Sequence, residues 1–129
     1  MDTRPLQEVL YVEDDPDIRV VAQMALETLG GLRVCSCASG AQALAALERC
    51  HPDVVLLDVM MPDLDGPATL ALLRRHPAGR DLPVIFMTAK AQAHEVGHYL
   101  SLGALGVITK PFDPMALADQ VRSLWSRLP

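Results

Sequence analysis

Three acids in a row, Glu13, Asp14 and Asp15, end the apolar run VLYVED (9–14). A fourth acid, Asp58, interrupts the far more apolar VVLLDVMM (54–61). A charge inside such a run costs free energy unless something pairs with it. Two further apolar runs also end in polar groups: LPVIFMT (82–88) in Thr88, and LGVIT (105–109) in Thr109 and then Lys110. Clustered carboxylates repel one another, and a divalent cation relieves the repulsion. Hard oxygen ligands in a small open cluster suit magnesium. With a lysine amine and a hydroxyl nearby, that set suits a phosphoryl group, whose transfer is mostly positioning and charge neutralisation. An aspartate in such a site can itself accept the phosphoryl group as an aspartyl phosphate.

A second chemistry-bearing motif competes with the first. HEVGH (94–98) fits H-E-x-x-H, the zinc-and-base signature of many metalloproteases. A zinc peptidase also needs a third ligand. No Glu or His follows His98, and Asp113 and Asp119 are the remaining downstream acids. Gly97 weakens the helix by about 1 kcal/mol relative to Ala. The motif is therefore read as an exposed histidine pair whose use, if any, is a partner contact.

The elements that must position these groups follow from periodicity. Strand-like runs cover 9–14, 32–38, 53–59, 82–88 and 105–109. Asp15-Pro16 opens a helix with Ile18, Val21, Ala22, Ala25, Leu26 and Leu29 at helical spacing, and Gly30-Gly31 stops it. Ser39 caps a helix over 40–50 with Ala43, Leu44 and Leu47 inward. Further helices are expected over about 67–76, about 91–102, and from near Pro114, the last burying Leu117, Val121 and Leu124. Strands apolar at every position are buried on both faces, as in a parallel sheet. Five such strands alternating with five helices predict an α/β, doubly wound five-stranded parallel sheet. In that architecture sites lie beyond the carboxyl ends of the strands, which is where the acids, Thr88 and Lys110 fall.

The bulk properties set bounds. A chain of 129 residues, half apolar and with net charge -5, suits one globular domain and does not suggest a nucleic-acid-binding surface. No apolar run is long enough to span a bilayer. The start, MDTRPLQEVLYVEDD, lacks the basic and apolar regions of a signal peptide, so a cytoplasmic location is expected. Cys35, Cys37 and Cys50 fit no C-x-x-C pattern and are expected to be free buried thiols, Cys35 and Cys37 sharing one strand face.

Four segments in order, VLYVEDDPDIR, VVLLDVMMPDLDG, PVIFMTA and GVITKPF, resemble the receiver domains of two-component response regulators, including the single-domain chemotaxis type. The resemblance spans essentially the whole chain and implies a flavodoxin-like fold with strand order 2-1-3-4-5. It implies that Asp58 takes a phosphoryl group from a histidine kinase or histidine phosphotransfer protein. It assigns one Mg2+ to Asp14, to Glu13 through water, to Asp58, and to the backbone carbonyl of Met60. It gives Lys110 a phosphoryl oxygen, Thr88 the switch hydroxyl, and Ala89 an assisting backbone N–H. Pro62 and Gly66 match the loop after the phosphoacceptor, and the Lys110-Pro111 bond is expected to be cis.

One position departs from the family pattern. Val107 stands where a switching Tyr or Phe is usual, and Tyr99 is the nearby aromatic residue that substitutes only if it does more than pack. Met60 and Lys90 flank the site. Asp63 and Asp65 are loop acids, with Asp65 a helix cap rather than a metal ligand. A receiver-like module that is never phosphorylated is disfavoured by the complete set of Glu13, Asp14, Asp58, Thr88 and Lys110. A phosphatase of the haloacid-dehalogenase type wants an acid/base aspartate two residues after the nucleophile, where Met60 stands. The expectation is thus a stoichiometric phosphoacceptor, not an enzyme, with at most slow loss of its own phosphoryl group. Its output is expected through a protein partner on the fourth helix, fifth strand and fifth helix, with no nucleic-acid or membrane contact. The chain ends at Pro129, soon after the fifth helix. A single domain over 1–129 with no output domain is therefore expected, unless the chain is cut from a longer protein.

Overall fold

In the computed structural model, which describes residues 5–128, every apolar run forms a strand and the polar residues at its end stay at the sheet edge. The strands are β1 (Glu8–Val12), β2 (Arg33–Cys37), β3 (Val54–Asp58), β4 (Val84–Thr88) and β5 (Gly106–Thr109). They pair in parallel in the order β2-β1-β3-β4-β5, as expected. Every residue of β3 and β4 is buried, which is why neither shows a polar alternation.

Five helices cover the sheet: α1 (Pro16–Met24), α2 (Gly40–Ala46), α3 (Gly66–Arg75), α4 (Ala93–Ser101) and α5 (Leu117–Trp125). Their starts are chemically marked. Asp15 accepts the N–H groups of Asp17 and Ile18, with Pro16 in the first turn of α1. Ser39 accepts the N–H of Gln42 at the start of α2, and Asp65 that of Ala68 at the start of α3. Each cap satisfies donors that a helix N-terminus leaves free.

Two apolar layers result. On one face Val9 and Tyr11, Leu56, Ile85 and Met87 meet Ala22, Ala25 and Leu26 and the α5 residues Leu117, Ala118 and Val121. On the other, Leu10, Val55, Leu57 and Phe86 meet Ala43, Ala46, Leu47, Leu70 and Leu73. The split follows the two-residue alternation of the strands.

Three expectations are corrected. Residues Ala25–Leu29 wind as a π-helix rather than continuing α1. The wider turn rotates Leu29 away from the core, where it is 54 % exposed, and Val21 faces outward at 45 %. The last helix begins at Leu117, with Pro114 in the turn before it. The three cysteines are not all free. Cys35 and Cys37 do share a face of β2, and Cys37 is a free buried thiol, but Cys35 is joined to Cys50 in a disulfide. The chain leaving α2 returns Cys50 to the apolar layer that Cys35 enters. That return brings together residues 15 positions apart.

Gly66 illustrates how tightly the loop after β3 is seated. A Cβ there would lie 2.7 Å from the Asp58 carbonyl oxygen and 2.8 Å from the Val59 Cα. Gly66→Ala is expected to destabilise the fold by about 1–3 kcal/mol, because the obstructing atoms are backbone; urea denaturation measures it.

Candidate phosphoacceptor and metal site

The site is assembled at the carboxyl edge of the sheet by neighbouring strands. β1 and β3 pair through Val12 and Leu57, so Glu13 and Asp58 emerge side by side. Lys110 follows β5, and its N–H donates to the Thr88 carbonyl at 2.9 Å. Glu13 and Asp58 are almost fully buried, at 1 % and 3 % exposure. The Lys110 ammonium lies 2.9 Å from Glu13 Oε1 and 3.0 Å from Asp58 Oδ1, so one cation serves two buried anions. Asp14, half-buried, completes a set in which one carboxylate oxygen from each of the three residues lies within 4.8 Å of the others.

The electrostatics follow from this arrangement. Burial pushes Glu13 up to about 7, and the adjacent Asp58 adds to the rise, while Lys110 opposes it. For Lys110, burial disfavours the charge, but the bonds to Glu13 and Asp58 outweigh burial and raise it. Three carboxylates around one amine leave excess negative charge in a partly buried place. Hard oxygen donors with that excess fit a magnesium ion. Glu13, Asp14 and Asp58 supply the side-chain donors.

The remaining expected residues lie around this centre. The Met60 N–H donates to Asp58 Oδ1 at 3.4 Å, which bends the chain back over the acid, and the Met60 side chain is 69 % exposed. Thr88 is buried, and its hydroxyl accepts the Lys90 N–H at 3.0 Å. Ala89 is exposed and, with Lys110, lines an apolar cleft of about 530 Å³ between Ile18 and Val21 of α1 and Phe112 and Pro114. The Lys110-Pro111 bond is cis, as expected. Val107 is half-buried in the same apolar layer as Tyr99, whose ring packs on Phe86 at 5.2 Å between centroids. Asp65 caps α3, and Asp63 takes a left-handed backbone conformation with φ 66°, which Asp tolerates.

The zinc-peptidase reading fails on geometry. Glu95 turns back to accept the Gln92 N–H at 3.2 Å and so caps α4 instead of facing a metal. Among the described residues, the one cluster of three or more metal-ligating side chains is Glu13, Asp14 and Asp58.

Two residues of the site were not singled out from sequence. Arg19, on α1, donates to the Glu13 carbonyl at 2.8 Å and reaches that of Asp14 at 3.5 Å. Tyr11 is fully buried, and among the described residues its hydroxyl has no hydrogen-bond partner. Burial, then the charges of Glu13 and Asp58, push its ionisation upward. The helical spacing of Arg19 gives no hint of a backbone target, and Tyr11 reads as one more apolar strand residue.

The sequence profile described as "Response regulator receiver domain" matches residues 9–122. The chain belongs to that family. This receiver domain is 40 % identical over 119 residues to the transcriptional regulatory protein CseB of Streptomyces avermitilis, an alignment covering 92 % of this chain and 49 % of CseB. It thus spans about half the length of that relative. Its fold is similar to the chemotaxis protein CheY4 of Vibrio cholerae, with TM-score 0.84, 27 % identity, and coverage of 92 % and 98 % of the two chains. It is also similar to the receiver domain of the sensor histidine kinase PA1611 of Pseudomonas aeruginosa, with TM-score 0.77 and 35 % identity over 93 % and 95 %. That structure has a magnesium ion coordinated in its active site cleft. Among the described residues of the receiver domain, no helix is long and apolar enough to cross a membrane.

The raised Glu13 gives a testable pH dependence. Between about 4.5 and about 7 the unfolded chain releases the Glu13 proton before the folded one does. The folded state then binds the extra proton, so this group's contribution to stability falls as pH rises through that window. Without metal, Glu13→Gln is expected to remove that slope, read as the difference between wild type and variant in denaturation at pH 5 and pH 8.

Proposed function

We propose that this receiver domain is a magnesium-dependent phosphoacceptor, with Asp58 as the residue phosphorylated. The observation that carries the reading is the buried Asp58 carboxylate held beside Glu13 by the Lys110 ammonium, with Asp14 in the same cluster. A bound magnesium ion would offset the negative charge of the donor and acceptor groups.

An Asp58 carboxylate oxygen attacks the phosphorus of a phosphohistidine. An O–P bond forms, the N–P bond breaks, and the imidazole nitrogen keeps the bonding pair. Lys110 is placed to hold a phosphoryl oxygen, with Thr88 and the Ala89 N–H as further donors. Glu13, Asp14, Asp58 and the Met60 carbonyl would hold the ion. The proposed donor is a histidine kinase or phosphotransfer protein, which would dock against the apolar cleft beside Lys110. Met60 offers no proton-transfer group, so release of the phosphoryl group is slow and the protein acts once per phosphorylation rather than turning over.

The output surface we assign is α4, β5 and α5. No side chain of α4 is fully buried, and Val96 and Tyr99 are half-buried, so repositioning the helix on phosphorylation disturbs few core contacts. Its His94 and His98 are exposed and face solvent or a partner.

Two measurements test this reading. On exposure to a small acyl phosphate with magnesium, the intact protein is expected to gain the mass of one phosphoryl group, and Asp58→Asn none; equal labelling of the two overturns the assignment. Replacing His94 and His98 together with Ala is expected to weaken partner binding by roughly fivefold or more, about 1 kcal/mol. Labelling of Asp58 should stay unchanged, and its loss would count against a purely docking role.

A further inference from the structure

The acidic pair projects from a short connection, and that connection has a support that the phosphoacceptor chemistry does not itself require. β1 ends at Val12, and its ladder with β3 ends at the Val12–Leu57 pair. The Glu13 N–H still finds the Cys37 carbonyl at 3.0 Å. The Glu13 carbonyl has passed beyond the strand pairing and needs a donor from elsewhere.

Arg19 supplies it. Asp15 caps α1, and the Arg19 N–H bonds to the Asp15 carbonyl at 2.9 Å, which places Arg19 one turn into the helix. Side chains on a helix lean toward its N-terminus, so the half-buried guanidinium folds back onto the loop that began the helix. It meets the Glu13 carbonyl at 2.8 Å and reaches the Asp14 carbonyl at 3.5 Å. Glu13 Oε2 also accepts the Asp15 N–H at 3.3 Å. The two acids thus stand on backbone held from both sides.

We propose that Arg19 is a positioning residue for the metal-binding loop: its guanidinium, bonded to the Glu13 carbonyl and reaching that of Asp14, fixes where the two carboxylates stand and so strengthens magnesium binding. This rests on the magnesium reading of the site. Two effects of Arg19 oppose each other. Its positive charge repels a dication, while its hydrogen bonds order the residues that bind one. Magnesium demands near-ideal octahedral geometry and tolerates little displacement of its ligands. The geometric effect is therefore the larger, and loss of the guanidinium weakens binding despite removing a like charge.

The test is magnesium affinity by calorimetry at pH 8, with the ion alone and no phosphodonor, alongside thermal unfolding without metal. Arg19→Met keeps the apolar stem and is expected to weaken magnesium binding at least tenfold. Arg19→Lys keeps one donor and the charge, and is expected to recover part of that loss. A merely structural role would lower the melting temperature of Arg19→Met and leave the affinity unmoved, which would overturn the proposal. Tighter binding by Arg19→Met would overturn it too, by showing that charge repulsion prevails. Asp14→Asn is the control. If wild type shows no magnesium binding that Asp14→Asn abolishes, the functional reading itself fails and this proposal with it. If that control behaves as expected and Arg19→Met binds like wild type, the positioning role alone is wrong.

Discussion

Two buried carboxylates at adjoining strand ends repel each other strongly, and the Lys110 ammonium, at 2.9 and 3.0 Å from them, is what lets both stay there. Removing one partner of a buried charged set leaves the others uncompensated, a loss typically of about 3–5 kcal/mol. The sheet's strand order is what delivers the three groups together. β1 and β3 are neighbours, and β5 brings Lys110 alongside through β4. The cluster is charge-balanced only in part, which is why it suits a dication rather than a closed salt bridge.

Much of this was legible in the residues. Asp58 stands out because a carboxylate in VVLLDVMM requires a partner. The strand ends align the polar groups on one edge in a parallel sheet, so Glu13, Asp14, Thr88 and Lys110 could be named without coordinates. Helix starts were readable where a side chain caps them, at Asp15, Ser39 and Asp65. The start of α5 was not, since Pro114 is equally at home in the preceding turn.

What escaped the sequence depends on where backbone atoms turn. Arg19 acts on carbonyl oxygens, which carry no residue signature. The Cys35–Cys50 disulfide depends on how the chain leaves α2. The π-helical turn at Ala25–Leu29 changes the period of an otherwise regular apolar pattern, so extrapolation misplaces Leu29. The unpartnered Tyr11 hydroxyl is invisible in a run that reads as uniformly apolar.

The tight seat of Gly66 has a consequence for how far the site's influence extends. The position that leaves no room against the Asp58 carbonyl is also 3.2 Å, by a constructed Cβ, from the Phe86 ring edge. The same ring meets Tyr99 in a tilted contact, 5.2 Å between centroids. Backbone after the acid-bearing strand, a buried phenyl group and an aromatic side chain of α4 therefore stand next to one another in the sheet's second layer. A shift of the loop that carries Asp58 has a buried ring to push against, and beyond that ring stands a helix held to the core by half-buried side chains alone.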